Sequence, residues 1–232
     1  MKKEYAQFLL DKVNKDYNLI AQDFSRTREH IWPEMEFLFN EFLYPGNKAL
    51  DLGCGNGRWF NMFQKMKVDY IGVDNSQELI RIAQEKYPQG KFKLADALNL
   101  PFSNNSFDRV YSIAVFHQIP SSQFRLKFLE EAKRVLKPGG LFILTVWKFH
   151  RFRDLILLIK YTILKLLGKT ELDFGDVFYS WGDKIKRYYH IFFKRELINL
   201  AQRSGWKIKQ IGIIKNQKGN RQNIYLILQK PL

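Results

Sequence analysis

The stretch Asp51-Leu52-Gly53-Cys54-Gly55-Asn56-Gly57 decides the fold. Lys48 to Leu52 reads as a short buried strand, and from about Arg58 the pattern turns helical. Glycine accepts positive φ and lets the backbone approach a ligand closely, so such a turn marks the carboxyl edge at which open α/β sheets bind. The glycines fall as G-x-G-x-G, with an acid two residues before the first. A pyrophosphate fingerprint is instead G-x-G-x-x-G. Asp51 would repel a diphosphate and favour a cationic ligand end, such as a sulfonium with its ammonium group.

Outward from this turn, strand-like and helix-like segments alternate. Residues 5–21 read as an amphipathic helix, and a second begins at Trp32-Pro33 and is broken by Pro45-Gly46-Asn47. Further strands are expected at 70–74, 92–95, 108–114 and 141–147, with helices at 77–86 and from Ser121 or Ser122 to the Lys137-Pro138-Gly139-Gly140 stop. A helix near 193–203 precedes two alternating strands, 207–214 and 223–229, joined through a short turn at Gly219. A connection that short joins antiparallel neighbours, because a parallel pair needs a long crossover. The expectation is an α/β fold: a Rossmann-like, mostly parallel seven-stranded sheet with a C-terminal antiparallel hairpin and helices on both faces. Residues 1–232 are expected to form a single domain, with a basic, aromatic-rich insertion at about 148–192.

Composition fits this reading. At 232 residues, 46% hydrophobic, the chain can bury a core without staples, and its lone Cys54 cannot form an internal bridge. No signal peptide is read, since Lys2 and Lys3 are followed by Glu4, and a cytoplasmic location is expected. The apolar run 155–167 rises only about 20 Å as a helix, too short for a ~30 Å hydrocarbon core. It is read first as a lid helix packed on the sheet, with a partner-binding face or an interfacial membrane helix as alternatives. Charge is one-sided: of the net +15, residues 1–147 carry +3 and residues 148–232 carry +12. Such an excess attracts polyanions, nucleic acid before an anionic membrane surface.

Two further acids stand at the right distances from the glycine turn. Asp74 ends the second strand, where a carboxylate can accept both hydroxyls of a ribose. Asp96-Ala97-Leu98 ends the third, where a carboxylate and backbone groups can read an adenine edge while Leu98 packs its face.

This combination resembles the class I S-adenosylmethionine-dependent methyltransferases, over nearly the whole chain. The ordered motifs are matched by Asp51 to Gly57, Gly72-Val73-Asp74, Asp96-Ala97-Leu98, Phe107 to His117 and Leu136 to Gly140. The resemblance implies S-adenosylmethionine as cofactor, held by Asp51, Gly53, Gly55, Gly57, Asp74, Asp96, Ala97, Leu98 and Ala114. No metal site is expected.

Three clusters outside those motifs bear on the methyl acceptor: Phe24-Ser25-Arg26-Thr27-Arg28 with Trp32-Pro33; Ser112 to Gln118; and Asp176-Val177-Phe178-Tyr179-Ser180-Trp181 leading to Arg187-Tyr188-Tyr189-His190. Together they resemble the eukaryotic-type tRNA methyltransferases that esterify the carboxymethyl group of the wobble uridine. Gln118 departs from that pattern, where a second histidine is common, and Ser180 replaces a proline. The resemblance implies tRNA, through its anticodon loop, as partner, and a small zinc-binding activator protein. A carboxymethyl group has a pKa near ~4, so at neutral pH it is already the nucleophile and needs no general base. Arg28 is the first choice for orienting it and His117 the second; Arg187 and His190 serve either the carboxylate or flanking phosphates. Trp32, Trp181, Tyr188 and Tyr189 offer aromatic faces for an unstacked base. The alternative is methylation of a small molecule, such as a quinone precursor or a lipid-like acid.

Overall fold

In the computed structural model, residues 1–28, 30–182 and 185–232 are described. The first half of the chain runs α1 (Lys3–Arg26), α2 (Phe37–Asn40), β1 (Lys48–Leu52), α3 (Phe60–Lys65), β2 (Asp69–Asp74), α4 (Gln77–Lys86), β3 (Phe92–Leu94) and β4 (Phe107–Ile113). The second runs α5 (Ser122–Val135), β5 (Leu136–Trp147), α6 (Phe152–Leu166), β6 (Asp176–Trp181), β7 (Ile185–His190), α7 (Lys194–Arg203), β8 (Lys207–Lys215) and β9 (Gln222–Gln229).

Seven strands form one sheet in the order β3-β2-β1-β4-β5-β9-β8. β1 to β5 pair in parallel; β9 runs antiparallel between β5 and β8. Both faces are covered, which is why the central strands are buried along most of their length. Leu50, Leu52, Val110 and Phe142 pack on one side with α5 and α7, while Ala49, Tyr111 and Ile143 pack on the other with α2 and α3. Strand order reverses between β1 and β4, the switch point at which such sheets open a crevice. The glycine turn after β1 sits there.

Three expectations need correction. The helix read from Trp32-Pro33 is one 3₁₀ turn, Pro33–Met35, followed by the single turn of α2. β5 runs through the Lys137-Pro138-Gly139-Gly140 stop instead of starting after it. Its pairing with β4 jumps from Phe107↔Leu136 to Arg109↔Leu141, and the irregularity accommodates the proline and glycines. The insertion is also more ordered than its sequence suggests. β6 and β7 form their own two-stranded sheet, with Asp176 opposite His190 and Trp181 opposite Ile185. α6 rests on that hairpin through Leu157, Leu158 and Tyr161, so it is not a lid lying on the main sheet.

A buried ionic knot fixes the hairpin to the body. Asp176 Oδ1 accepts from Arg125 Nη2 (3.0 Å), from the Tyr188 hydroxyl (2.7 Å) and pairs with His190 Nδ1 (2.7 Å). His190 Nε2 lies 2.8 Å from Glu196 Oε1 on α7. Arg125 belongs to α5, so α5, β6 and β7 meet at one carboxylate and α7 joins through His190.

Candidate active site

Gly53, Gly55 and Gly57 all have positive φ, at +81°, +55° and +71°. At Gly53 a side chain is excluded twice over, because a Cβ there would also collide with Val115. The turn is tied to β2: Gly53 N and Cys54 N both donate to Val73 O, at 2.8 and 2.9 Å. Asp74 continues the link, its Oδ2 accepting from Gly55 N and its Oδ1 from Ser76 N, each at 2.9 Å. Asn56 Nδ2 reaches Ser25 Oγ at 3.0 Å and fastens the end of α1 over the turn.

Between α1 and the sheet edge lies a cavity of about 530 Å³. Its floor is Gly53 to Asn56, Asp74, Asp96, Ala97 and Ala114; Tyr17, Phe24, Arg28 and Trp32 form one wall. Trp181 and Arg187 of the hairpin adjoin that wall, and Lys148, Arg151, Arg153 and Arg221 make a basic rim. That volume lies within the ~300–1,000 Å³ that small-molecule sites occupy.

The electrostatics divide the cavity in two. At the sheet end the carboxylates dominate. Burial pushes Asp51 up to about 7, against the hydrogen bond it accepts from the Tyr70 hydroxyl at 3.2 Å, and burial also raises Asp74. At the hairpin end the cations dominate. Burial lowers Arg28, and the neighbouring Arg187 and Arg221 lower it further. Arg58, which follows the glycine turn and not the hairpin, falls to about 10 by burial and by the field of Arg28. Arg187 donates to the Tyr17 hydroxyl at 3.2 Å, while its buried Nε has no partner among the described residues. No carboxylate pairs with Arg28 or Arg187 among the described residues. Clustered guanidiniums lacking a counter-ion are costly unless an anion completes them.

The structure gathers some of the anticipated residues and not others. Gly53, Gly55, Asp74, Asp96, Ala97 and Ala114 line the cavity, as do Arg28, Trp32, Trp181 and Arg187. Asp51 and Gly57 stand behind the turn, Gly57 against Phe92 and Tyr87. Leu98 is turned into the core and cannot pack a ligand's face; its N–H holds Asp96 Oδ1 at 2.8 Å. His117 is a correction. It is fully buried, stacked on Trp147 with ring centres 4.8 Å apart, and its Nδ1 accepts weakly from Trp147 N at 3.4 Å. Burial and the nearby Arg187 hold it down to about 3, so it is neutral and outside the cavity. His190 is likewise consumed by Asp176 and Glu196. Tyr188 and Tyr189 are buried within the hairpin's packing and present no free face.

Tyr17, Arg58 and Arg221 were not anticipated. Arg58 directly follows the third glycine, a position that signals proximity to the turn. Arg221 carries no local signal: it lies in the turn between β8 and β9 and reaches the cavity only because β9 pairs with β5.

Comparison with known proteins agrees with this geometry. A methyltransferase-domain family model matches residues 50–144. The tRNA (carboxymethyluridine(34)-5-O)-methyltransferase of Arabidopsis thaliana is 40% identical over 152 residues, 66% of this chain and 36% of that protein. A mouse relative of the same activity name is 37% identical, and the chain spans 22% of its length. The Schizosaccharomyces pombe enzyme of that name is 30% identical over 94% of this chain and 96% of its own. Among solved structures, a Methanosarcina mazei S-adenosylmethionine-dependent methyltransferase superposes with TM-score 0.71 at 23% identity, covering 87% of this chain and 99% of its own. A Haloferax volcanii methyltransferase in complex with the Trm112 activator also gives 0.71, at 16% identity, covering 95% and 98%.

Proposed function

The chain belongs to the tRNA (carboxymethyluridine(34)-5-O)-methyltransferase family, and on that premise we propose that it esterifies the carboxymethyl group of a modified wobble uridine in tRNA, using S-adenosylmethionine. The observation that carries the reading is the division of one cavity into a carboxylate-lined end and a guanidinium-lined end. A cationic donor fits the first and an anionic acceptor the second.

The residues present fit S-adenosylmethionine. A Cβ at Gly53 would close the turn, and Asp74 and Asp96 face the cavity beside it. Asp74 would take the ribose hydroxyls and Asp96 the adenine edge. Arg58, at the turn, is placed for the donor's own carboxylate. When bound, the cofactor supplies a methyl group on a sulfonium that departs as a neutral thioether.

The protein's share of the chemistry is binding and alignment. An ionised carboxylate is nucleophilic as it stands, so no proton has to move. Arg28 and Arg187 grip the acceptor and turn one oxygen toward the methyl. Well-oriented approach alone can supply ~7–11 kcal/mol of a displacement barrier. Arginine suits the task because its fork fixes direction while its dispersed charge leaves the oxygen reactive. Trp32 and Trp181 are the available stacking faces for the extruded base. The basic rim meets the flanking phosphates. An activator subunit, as in the Haloferax complex, belongs to this reading as a partner.

The tRNA-enzyme names of the sequence relatives do not favour the small-molecule alternative. The test is to incubate labelled S-adenosylmethionine with total tRNA, untreated or first treated with mild alkali, which regenerates carboxylates from methyl esters. Label should rise after the treatment and be lost on a second saponification. Alkali-resistant label, or label in a lipid extract and none on RNA, would refute the reading.

A further inference from the structure

One conspicuous surface takes no part in the reaction. α6 packs Asp154, Leu157, Leu158 and Tyr161 against the hairpin, and Asp154 is consumed there, accepting from His150 N, Arg151 N and the Tyr179 hydroxyl. The opposite face is apolar and bare. Phe152, Leu155, Ile156, Ile159, Ile163 and Leu166 fall on one helical face, each three or four residues from another of the set, and all are at least half exposed, Phe152 by 78% and Leu166 by 72%. An open groove of about 420 Å³ runs alongside, walled by Leu158, Thr162, Phe174 and Phe193, and the two phenylalanines are exposed. Apolar surface continuous on this scale marks an interaction site.

What covers it is indicated by the rim. Helical spacing places Lys160 along one side of the stripe; Lys169 follows the helix, and Lys194 and Arg195 follow Phe193, all four exposed. Acids are scarce. Among described residues 148–174, Glu171 is the only exposed one, since Asp154 is buried and Asp173 is paired with the N-terminal ammonium at 2.6 Å; Glu196, which lines the groove, is paired with His190 at 2.8 Å. A second copy of the chain would set these cations against themselves in a twofold contact. RNA has little use for a stripe of aliphatic side chains. An anionic bilayer satisfies both halves of the pattern: the apolar stripe enters the acyl boundary and the flanking cations remain among headgroups. No helix among the described residues is long and apolar enough to cross a membrane.

We infer that α6, with Phe174 and Phe193, is an interfacial membrane-binding surface that docks the protein on anionic lipid. The orientation is parallel to the bilayer, with the hairpin and cavity held above it. This inference is independent of the methyl acceptor.

The test is flotation of the full chain with phosphatidylcholine vesicles, with and without phosphatidylglycerol. The protein should float with the anionic vesicles at least ~10-fold more strongly than with neutral ones, and ~0.5 M salt should release most of it. Ile159→Glu with Ile163→Glu should abolish flotation. Lys160→Gln with Lys169→Gln should weaken it several-fold, with melting temperature and S-adenosylmethionine affinity unchanged in both pairs. Because Ile159 and Ile163 are exposed, a folding defect is not expected; should one occur, the lysine pair and the salt dependence still decide. Equal binding to both lipids, no binding to either, or unaltered flotation of both variant pairs would overturn the inference. So would a dimer of the wild-type chain that the isoleucine variants dissociate, since the occupant would then be a second copy.

Discussion

Arg187 holds its guanidinium 4.3 Å from the centre of the Trp181 ring, and Arg28, from the other end of the molecule's sequence, approaches the same indole at 5.4 Å. One aromatic side chain thus steadies two cations that would otherwise repel. Each such contact is worth ~0.5–2 kcal/mol, more when water is excluded. The indole also faces the cavity, so cation placement and base stacking are combined in one residue.

Trp181→Ala should therefore lower kcat/KM for the RNA acceptor by ~10–100-fold, with the S-adenosylmethionine Kd unchanged within about threefold. Trp181→Phe should restore part of the loss. Steady-state kinetics alongside calorimetric cofactor binding separates the two effects. Equal damage to cofactor affinity would show that the ring serves the donor instead.

Arg28→Ala should cut turnover by ~10²-fold and leave cofactor affinity largely intact, and Arg28→Lys should recover little, because lysine cannot reproduce a bidentate grip. If cofactor binding collapses, Arg28 belongs to the donor's carboxylate. Arg58→Ala should do the reverse, weakening the cofactor while the RNA Kd holds.

Much of this was legible in the sequence, and the limits have physical causes. The glycine turn and Asp74 could be placed because each terminates a strand whose apolar run is unambiguous; Asp96 follows a strand of only three residues, Phe92–Leu94, and was placed by its spacing from them. The C-terminal antiparallel pair followed from a connection too short for a crossover. The β6–β7 hairpin was hidden because Asp-Val-Phe-Tyr-Ser-Trp and Ile-Lys-Arg-Tyr-Tyr-His put aromatics on successive positions and blur the two-residue period. His117 and His190 drew attention for their chemical type. Only the fold shows that one is shut under Trp147 and the other spent in an ionic knot. Arg221 enters through strand pairing between distant segments, which no local pattern encodes.

Burial raises Asp51 from 3.8 to about 7, so the empty protein holds a proton there that a cationic ligand would displace. The ionised form favours the donor's charge, hence S-adenosylmethionine affinity should rise as pH goes from 6 to 7.5 and level above the Asp51 pKa. Calorimetry in buffers of different ionisation enthalpy should detect proton release on binding near pH 6.5. Asp51→Asn should flatten this dependence and weaken the cofactor.

His117 runs the opposite way for stability. Its folded pKa of about 3 lies below the unfolded value of 6.5, so the unfolded chain takes up the proton first. Its neutral burial costs nothing above pH 6.5 and destabilises progressively as pH falls toward 3. The melting temperature should drop in that window, and less steeply in His117→Gln. The kcat profile between pH 6.5 and 8 should show no limb from this residue.

At the glycine turn, Gly53→Ala should destabilise by ~1–3 kcal/mol and abolish cofactor binding, because φ is +81° and Val115 leaves no room. Adding Val115→Ala should relieve the collision and not the backbone strain. Chemical denaturation distinguishes the two contributions.

A synthetic anticodon stem-loop carrying 5-carboxymethyluridine can be set against one carrying the neutral 5-carbamoylmethyl analogue, with methyl transfer and affinity read on both. The carboxylate stem-loop should be methylated to an alkali-labile ester and bind at least ~10-fold more tightly, an advantage that disappears when Arg28 and Arg187 are both changed to Ala. Equal binding of the two stem-loops by the wild-type protein, or transfer of the methyl to the amide analogue, would contradict recognition of an anionic acceptor by the paired guanidiniums.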